Sequence, residues 1–143
     1  MSRGEQGQTT LFIVGVAVMV MMVAAVVVNA SAAYLQRAGL DNLADGAALF
    51  AAESSSGTTG GVLPGGDEYL VIEAAAARAA VAAYLTDTGA GQQYDDLQMT
   101  VRVAGDRVLV RLSARLELPL GLPFAPEAPR VGADGSASLR LRQ

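Results

Sequence analysis

The sequence predicts an α+β fold in the order α-α-β-β-β: a long N-terminal helix, a second helix and a three-stranded antiparallel sheet. Three observations carry this reading. Residues 11–28 form an unbroken apolar run, LFIVGVAVMVMMVAAVVV, without a charge or a hydrogen-bonding side chain. Helical spacing of apolar residues continues behind that run and returns over residues 67–85. From Leu97 onward the apolar period changes from 3.6 to 2, the repeat of a half-buried strand.

The run has the length of a membrane span. Its 18 residues cover about 27 Å as a helix, and a few flanking residues complete a hydrocarbon core of about 30 Å. Eleven of them are Leu, Ile, Phe or Val. At about −0.3 to −0.6 kcal/mol each they favour insertion by on the order of 3–6 kcal/mol, with nothing in the run opposing it. Arg3 precedes the run, and Arg37 follows it with Asp41 and Asp45 close behind. The positive-inside bias therefore leans toward a cytoplasmic N-terminus and an exported C-terminal part. A second reading of this end is a cleaved secretory signal, with Ala30-Ser31-Ala32 as the small-residue site. Against it, the run is longer than the usual apolar region of about 7–15 residues, and helical spacing passes straight through the site.

Helical character continues without Pro to Ala52, so one helix over residues 11–52 would be about 60 Å long. Leu35, Gly39, Leu43, Ala47 and Phe50 recur at three- and four-residue steps and mark the expected buried stripe of this stem. Arg37, Asp41 and Asp45 fall on a face suited to water. Gly39 and Gly46 each weaken an isolated helix by about 1 kcal/mol relative to Ala, which calls for a close-packed neighbour. Residues 53–66, ESSSGTTGGVLPGG, have linker composition and are expected to be neither strand nor helix. Asp67 and Glu68 suit the first turn of the second helix. Its stripe is Leu70, Ala74, Ala77, Val81 and Leu85, and Gly89 and Gly91 are expected to end it.

Leu97, Met99, Val101 and Val103 then alternate with Gln98, Thr100 and Arg102. Beyond the turn at Gly105-Asp106, Val108, Val110, Leu112, Ala114, Leu116 and Leu118 alternate with mostly polar residues, the pattern of an antiparallel hairpin. A Pro-rich stretch over residues 119–129 leads to a last strand over residues 131–142, with Ala137, Leu139 and Leu141 inward. The apolar face of such a sheet must be covered, most simply by the second helix and the stem. The domain organisation that follows is an anchor and stem over residues 1–52, a linker over 53–66 and a small exported αβ head over 67–143.

Composition narrows the chemistry. The 143 residues contain no Cys, His or Lys; all ten basic residues are Arg. Disulfides, thiolates, the commonest zinc and copper ligands and the usual general base are thereby excluded. Net charge is −4, distributed as +1 over residues 1–37, −8 over 38–96 and +3 over 97–143. The acidic helical part and the basic strand part could attract each other within a chain or between subunits; the plainer reading is two solvated faces. No catalytic constellation stands out. Asp95-Asp96 reads as a solvated turn before a strand, and Ser54-Ser55-Ser56 has nothing to activate a nucleophile. The Gly-rich stretch of residues 57–66 lacks the Lys-Ser/Thr ending of a phosphate loop. Arg102, Arg111, Arg115, Arg140 and Arg142 form a candidate basic strip on the outer sheet face. It makes a poor nucleic-acid surface without Lys or interleaved aromatics; it could contact the acidic stem of a neighbouring subunit, and the default reading is a solvated strand face. Asn29-Ala-Ser fits a glycosylation sequon but abuts the span.

Gly7-Gln-Thr-Thr-Leu before the apolar run, then Leu35-Gln36 and Leu43-Ala44-Asp45-Gly46-Ala47-Ala48-Leu49, resemble the N-terminal region of TadE/TadG-like proteins. The likeness covers about residues 4–52. That family belongs to tight-adherence (Flp) pilus systems and is related to type IV pilins. The resemblance implies a pilin-like fold and a non-enzymatic, membrane-anchored minor pilin (pseudopilin) or pilus-assembly component, without cofactor or metal. Its partners would be the membrane and other pilin or Tad-system subunits met through the N-terminal helix, in a homo- or hetero-oligomer. It also implies prepilin-type processing at Gly7–Gln8, with Gly4–Glu5 as the alternative. The family's pseudopilins commonly carry Glu five residues after the processing Gly; here those positions are Phe12 and Thr9. The alternative function is a membrane-tethered accessory or binding protein of the cell envelope that stays outside any filament.

Overall fold

The computed structural model describes residues 5–55, 60–62, 68–70, 73–120 and 129–138. Helix α1 (Glu5–Ser55) is continuous over 51 residues, about 76 Å. It passes unbroken through Ala30-Ser31-Ala32. Strands β1 (Gly60–Val62) and β2 (Glu68–Leu70) pair antiparallel and precede helix α2 (Ala74–Asp87) and the short turn α3 (Ala90–Gln93). Strands β3 (Gln98–Ala104), β4 (Arg107–Arg115) and β5 (Arg130–Ser138) form an antiparallel sheet in that order. The α-α-β-β-β order and the pilin-like architecture expected from the sequence are present.

Strand β4 ends at Arg115, where the alternation was expected to run to Leu118, and three further local readings change. Strand β1 lies in the stretch expected to lack regular structure. Because it pairs with Glu68–Leu70, α2 starts at Ala74 and not at Asp67. Glu73 is extended at the N-cap, and its carbonyl accepts from Ala77 N–H at 2.9 Å. At the far end Gly89 alone stops α2. It takes a left-handed φ of 67°, which costs a residue without Cβ little, whereas Gly91 sits inside α3. The buried stripe of the stem is the third change: it is Leu40, Ala44, Ala47, Ala48, Ala51 and Ala52, while Leu35 and Phe50 are exposed and Gly39 and Leu43 are half-buried.

One core joins the upper stem to the head. The sheet contributes Val101, Val108, Val110, Leu112, Ala114 and Ala133 from one face, and α2 contributes Ala77, Val81 and Leu85. The turn between β3 and β4 places Gly105 at φ 63°, the first central position of a two-residue hairpin loop. Leu139, Arg140, Leu141 and Arg142 lie outside the described residues.

Candidate functional site

The first functional surface is the lower part of α1. Its large apolar side chains are exposed throughout, from 45% at Val16 to 75% at Leu11. This is far more contiguous apolar surface than a protein leaves in water. By length and composition α1 is long and apolar enough to cross a membrane, and among the described residues it is the one such helix. Glu5, Gly7 and Gln8 fall in its first turns; Gly4 lies outside the described residues.

The second surface is the seat of the sheet on the helix. A Cβ added to Gly135 of β5 would collide with the backbone of Ala44 and Asp45. The sheet therefore rests on the helix backbone itself, and the small residues of the stem are what allow that approach. Gly39 and Gly46 have the neighbours their cost requires: the Tyr94 hydroxyl lies over the first and the Tyr84 hydroxyl over the second. Burial raises the pKa of the Tyr94 phenol. Tyr84 also meets Phe50, with ring centroids 5.6 Å apart.

The third feature is a pair of side-chain amides. Asn29 Nδ2 donates to the Leu120 carbonyl at 2.8 Å, and Leu120 N–H donates to Asn29 Oδ1 at 3.1 Å. One heptad higher, Gln36 Nε2 donates to the Arg115 carbonyl at 2.7 Å, and Glu117 N–H donates to Gln36 Oε1 at 3.1 Å. Seven helical residues rise about 10.5 Å and return to nearly the same face. Three extended residues, from Glu117 to Leu120, span about 10 Å. The two lengths match, so residues 115–120 run down α1 as an arm whose backbone is paired by amide side chains in place of a strand. Leu116 N–H also donates to the Pro129 carbonyl at 2.8 Å. Asn29 is thus engaged with the arm. A cut after Ala32 would separate Asn29 from the head it holds.

On the outer sheet face the expected basic strip is interrupted. Arg111 faces Asp134 in register and pairs with it through two bonds, at 2.6 and 3.2 Å. That ion pair occupies the shallow depression bounded by Thr100, Arg102, Leu109 and Ser136. The hydrogen bond from Arg111 lowers the Asp134 pKa. Arg130 bonds both the carboxylate and the carbonyl of Asp96, the latter at 2.9 Å, and lowers the Asp96 pKa. Asp96 takes a φ of 52°, the one non-glycine residue with positive φ among the described residues, and Asp95 accepts Arg115 N–H at 2.9 Å. The Asp96 carboxylate and the Asp95 backbone carbonyl join the acidic part of the chain to the sheet, whereas Asp134 pairs within the sheet. Arg102 and Arg115 are exposed; Arg140 and Arg142 lie outside the described residues. Ser55 is buried, with its hydroxyl donating to the Ala51 carbonyl. Among the described residues no three His, Cys, Asp or Glu side chains converge as a metal site.

The sequence reading missed the amide pair. Its signal was present: two amides, Asn29 and Gln36, stand one heptad apart on the helix.

Compared with known families, residues 7–54 match the model described as "Putative Flp pilus-assembly TadE/G-like". The match spans α1 almost from end to end and includes Asn29, Gln36 and the Ala44–Gly46 seat, while the sheet lies outside it. No curated protein and no solved structure matches the chain.

Proposed function

We propose that this chain is a non-enzymatic, membrane-anchored minor pilin (pseudopilin) or assembly component of a Tad/Flp-type pilus system. The supporting observation is one helix with two surfaces. Its lower part is a bare apolar span and its upper part seats a pilin-like sheet, and the TadE/G-like match runs through both. In this reading residues 1–52 are anchor and stem, residues 53–66 a linker and residues 67–143 an exported head, with the N-terminus cytoplasmic. Function is assembly: the exposed helix meets lipid or the helices of other subunits, and Gly15, Ala17, Ala24 and Ala25 permit close helix approach there.

The absence of Glu at position 12 or 9 favours a fixed place in the membrane over a place in the filament. A membrane-tethered accessory protein of the envelope is therefore the second reading. Mass spectrometry of the mature N-terminus separates the two. A start at Gln8 or Glu5 supports a processed, pilin-like subunit. An intact Met1 or Ser2 supports a permanently anchored component, and a start near Ala33 overturns both readings by removing the anchor.

A further inference from the structure

We propose that the arm at residues 118–120 is a second membrane contact, lying in the interfacial layer of the leaflet from which α1 emerges. The inference rests on the reading of α1 as a span and extends it to a part of the head far away in sequence. Its first basis is height. The apolar run of residues 11–28 is about 27 Å long, so the edge of a hydrocarbon core of about 30 Å falls close to Asn29. Asn29 is the residue that holds Leu120 by both of its backbone groups.

The second basis is chemistry. Leu118, Pro119 and Leu120 carry no charge, and Leu120 is 47% exposed at the level where the apolar run of the helix begins. Charge begins again at Glu117, which Gln36 holds about 10 Å higher, just beyond a headgroup layer of about 5–7.5 Å. Tyr34, also exposed, stands between these two levels, where an amphipathic ring suits the interface.

The third basis is continuity. Ala25, one turn below Asn29 on the same face, is the one residue of the run that is not fully exposed. The covered face of the helix therefore continues into the apolar run. Two points of contact, a span and an arm clamped beside it, would fix the tilt of the head over the bilayer, which a lone helix leaves free.

The test uses the absence of Cys from the chain to place one environment-sensitive fluorophore at a time on the full-length protein in phosphatidylcholine/phosphatidylglycerol vesicles. The labelled variants are Val20→Cys within the span, Leu120→Cys on the arm and Ala83→Cys on α2, beside the Tyr84–Phe50 contact. Lipids carrying a quencher near the headgroup or near the chain end report depth. The expected result is strong quenching at 120 by the shallow quencher, at 20 by the deep one, and none at 83. A probe at 120 that behaves like the one at 83, with 20 still quenched, overturns the arm contact and leaves the span standing. Loss of quenching at 20 overturns the span and the arm together. Shielding at 120 that appears only at high protein-to-lipid ratio assigns the surface to a second copy and overturns the lipid assignment. Asn29→Ala should release quenching at 120 while leaving the signal at 20 unchanged; retention of both overturns the clamp as its cause.

Discussion

The two halves of α1 share one backbone geometry and differ in what surrounds them. Residues 11–28 are mostly Val, Met, Leu, Ile and Phe, all exposed, whereas the buried face from Leu40 upward is Leu40 followed by Ala and, at the end, Ser55. Large side chains stand where the helix is bare, the surface proposed to meet lipid, and small ones where it meets protein. The reason is distance. Lipid chains adapt to a rough surface, so bulk adds apolar area. The backbone of a sheet does not adapt, and Gly135 reaches the helix only because Ala44 and its neighbours leave room. Side-chain size along this helix, more than hydrophobicity, distinguishes the two environments.

Placing a charge in the lower half should break this division outright. Val20 sits near the middle of the run, and Asp or Arg at a bilayer centre costs about 2.5–3.5 kcal/mol on the insertion scale, most of what the run supplies. Val20→Asp or Val20→Arg should move the protein from the membrane pellet to the soluble or aggregated fraction. Retention in the membrane would show that the run is not the anchor.

Size changes sharpen the contrast without touching charge. Gly135→Ala puts a methyl group against helix backbone that cannot move without lifting the sheet. Overpacking of this kind typically costs about 1–3 kcal/mol, and the head should melt at a clearly lower temperature in detergent. Gly15→Leu adds a larger side chain in the lower half, where a Cβ meets nothing within 4 Å. The melting of the head should stay unchanged. Equal effects from the two substitutions would remove the distinction between the halves.

The same logic explains which parts of the fold were legible. The span is an unbroken run and the strands alternate in large apolar residues, so β3 and most of β4 fall where Leu97 onward placed them, although β4 stops at Arg115 and Leu116 and Leu118 pass into the arm. The stripe of the stem was placed on Leu35, Gly39, Leu43, Ala47 and Phe50, because periodicity is weighed by large residues. Of these only Ala47 is fully buried; the head packs on it and on Leu40, Ala44, Ala48 and Ala51, mostly small residues that carry almost no such signal. Strand β1 reads Gly-Gly-Val, with no alternation to detect, and its pairing removed Glu68–Leu70 from the expected helix. Gly39 and Gly46 were correctly read as needing neighbours, but only the fold identifies these as Tyr94 and Tyr84. Of the candidate basic strip, Arg111 is paired because Asp134 comes opposite it in a register the sequence does not specify.

Between the two halves the amide pair should give smaller and position-specific effects. Asn29→Ala removes the partners of Leu120, and Gln36→Ala those of Arg115 and Glu117. Each should cost on the order of 1 kcal/mol locally, or about a fivefold rise in amide exchange at the released residue. Leu120 should respond to the first substitution and Glu117 to the second, with β3 and β4 unaffected. A uniform rise across the sheet would mean that the amides hold the whole head and not the arm alone.

The smallest effect is the pH dependence of the head. Asp96 and Asp134 have pKa values lowered by Arg130 and Arg111, so each binds its proton less readily in the folded than in the unfolded chain. The sign follows directly: their contribution is fully present above the ordinary carboxylate range and is lost as pH falls through the lowered folded values. Both pairs are solvent-exposed and screened, which keeps the contribution modest and sensitive to salt. Asp134→Asn keeps the shape and removes the charge. Its melting temperature should lie below that of the parent protein at neutral pH and low salt. The gap should close on acidification, and also when salt is added at neutral pH. A gap that persists in acid would mean that Asp134 acts through shape and hydrogen bonding alone. The exposed sheet face would then owe nothing to the ion pair that interrupts its row of arginines.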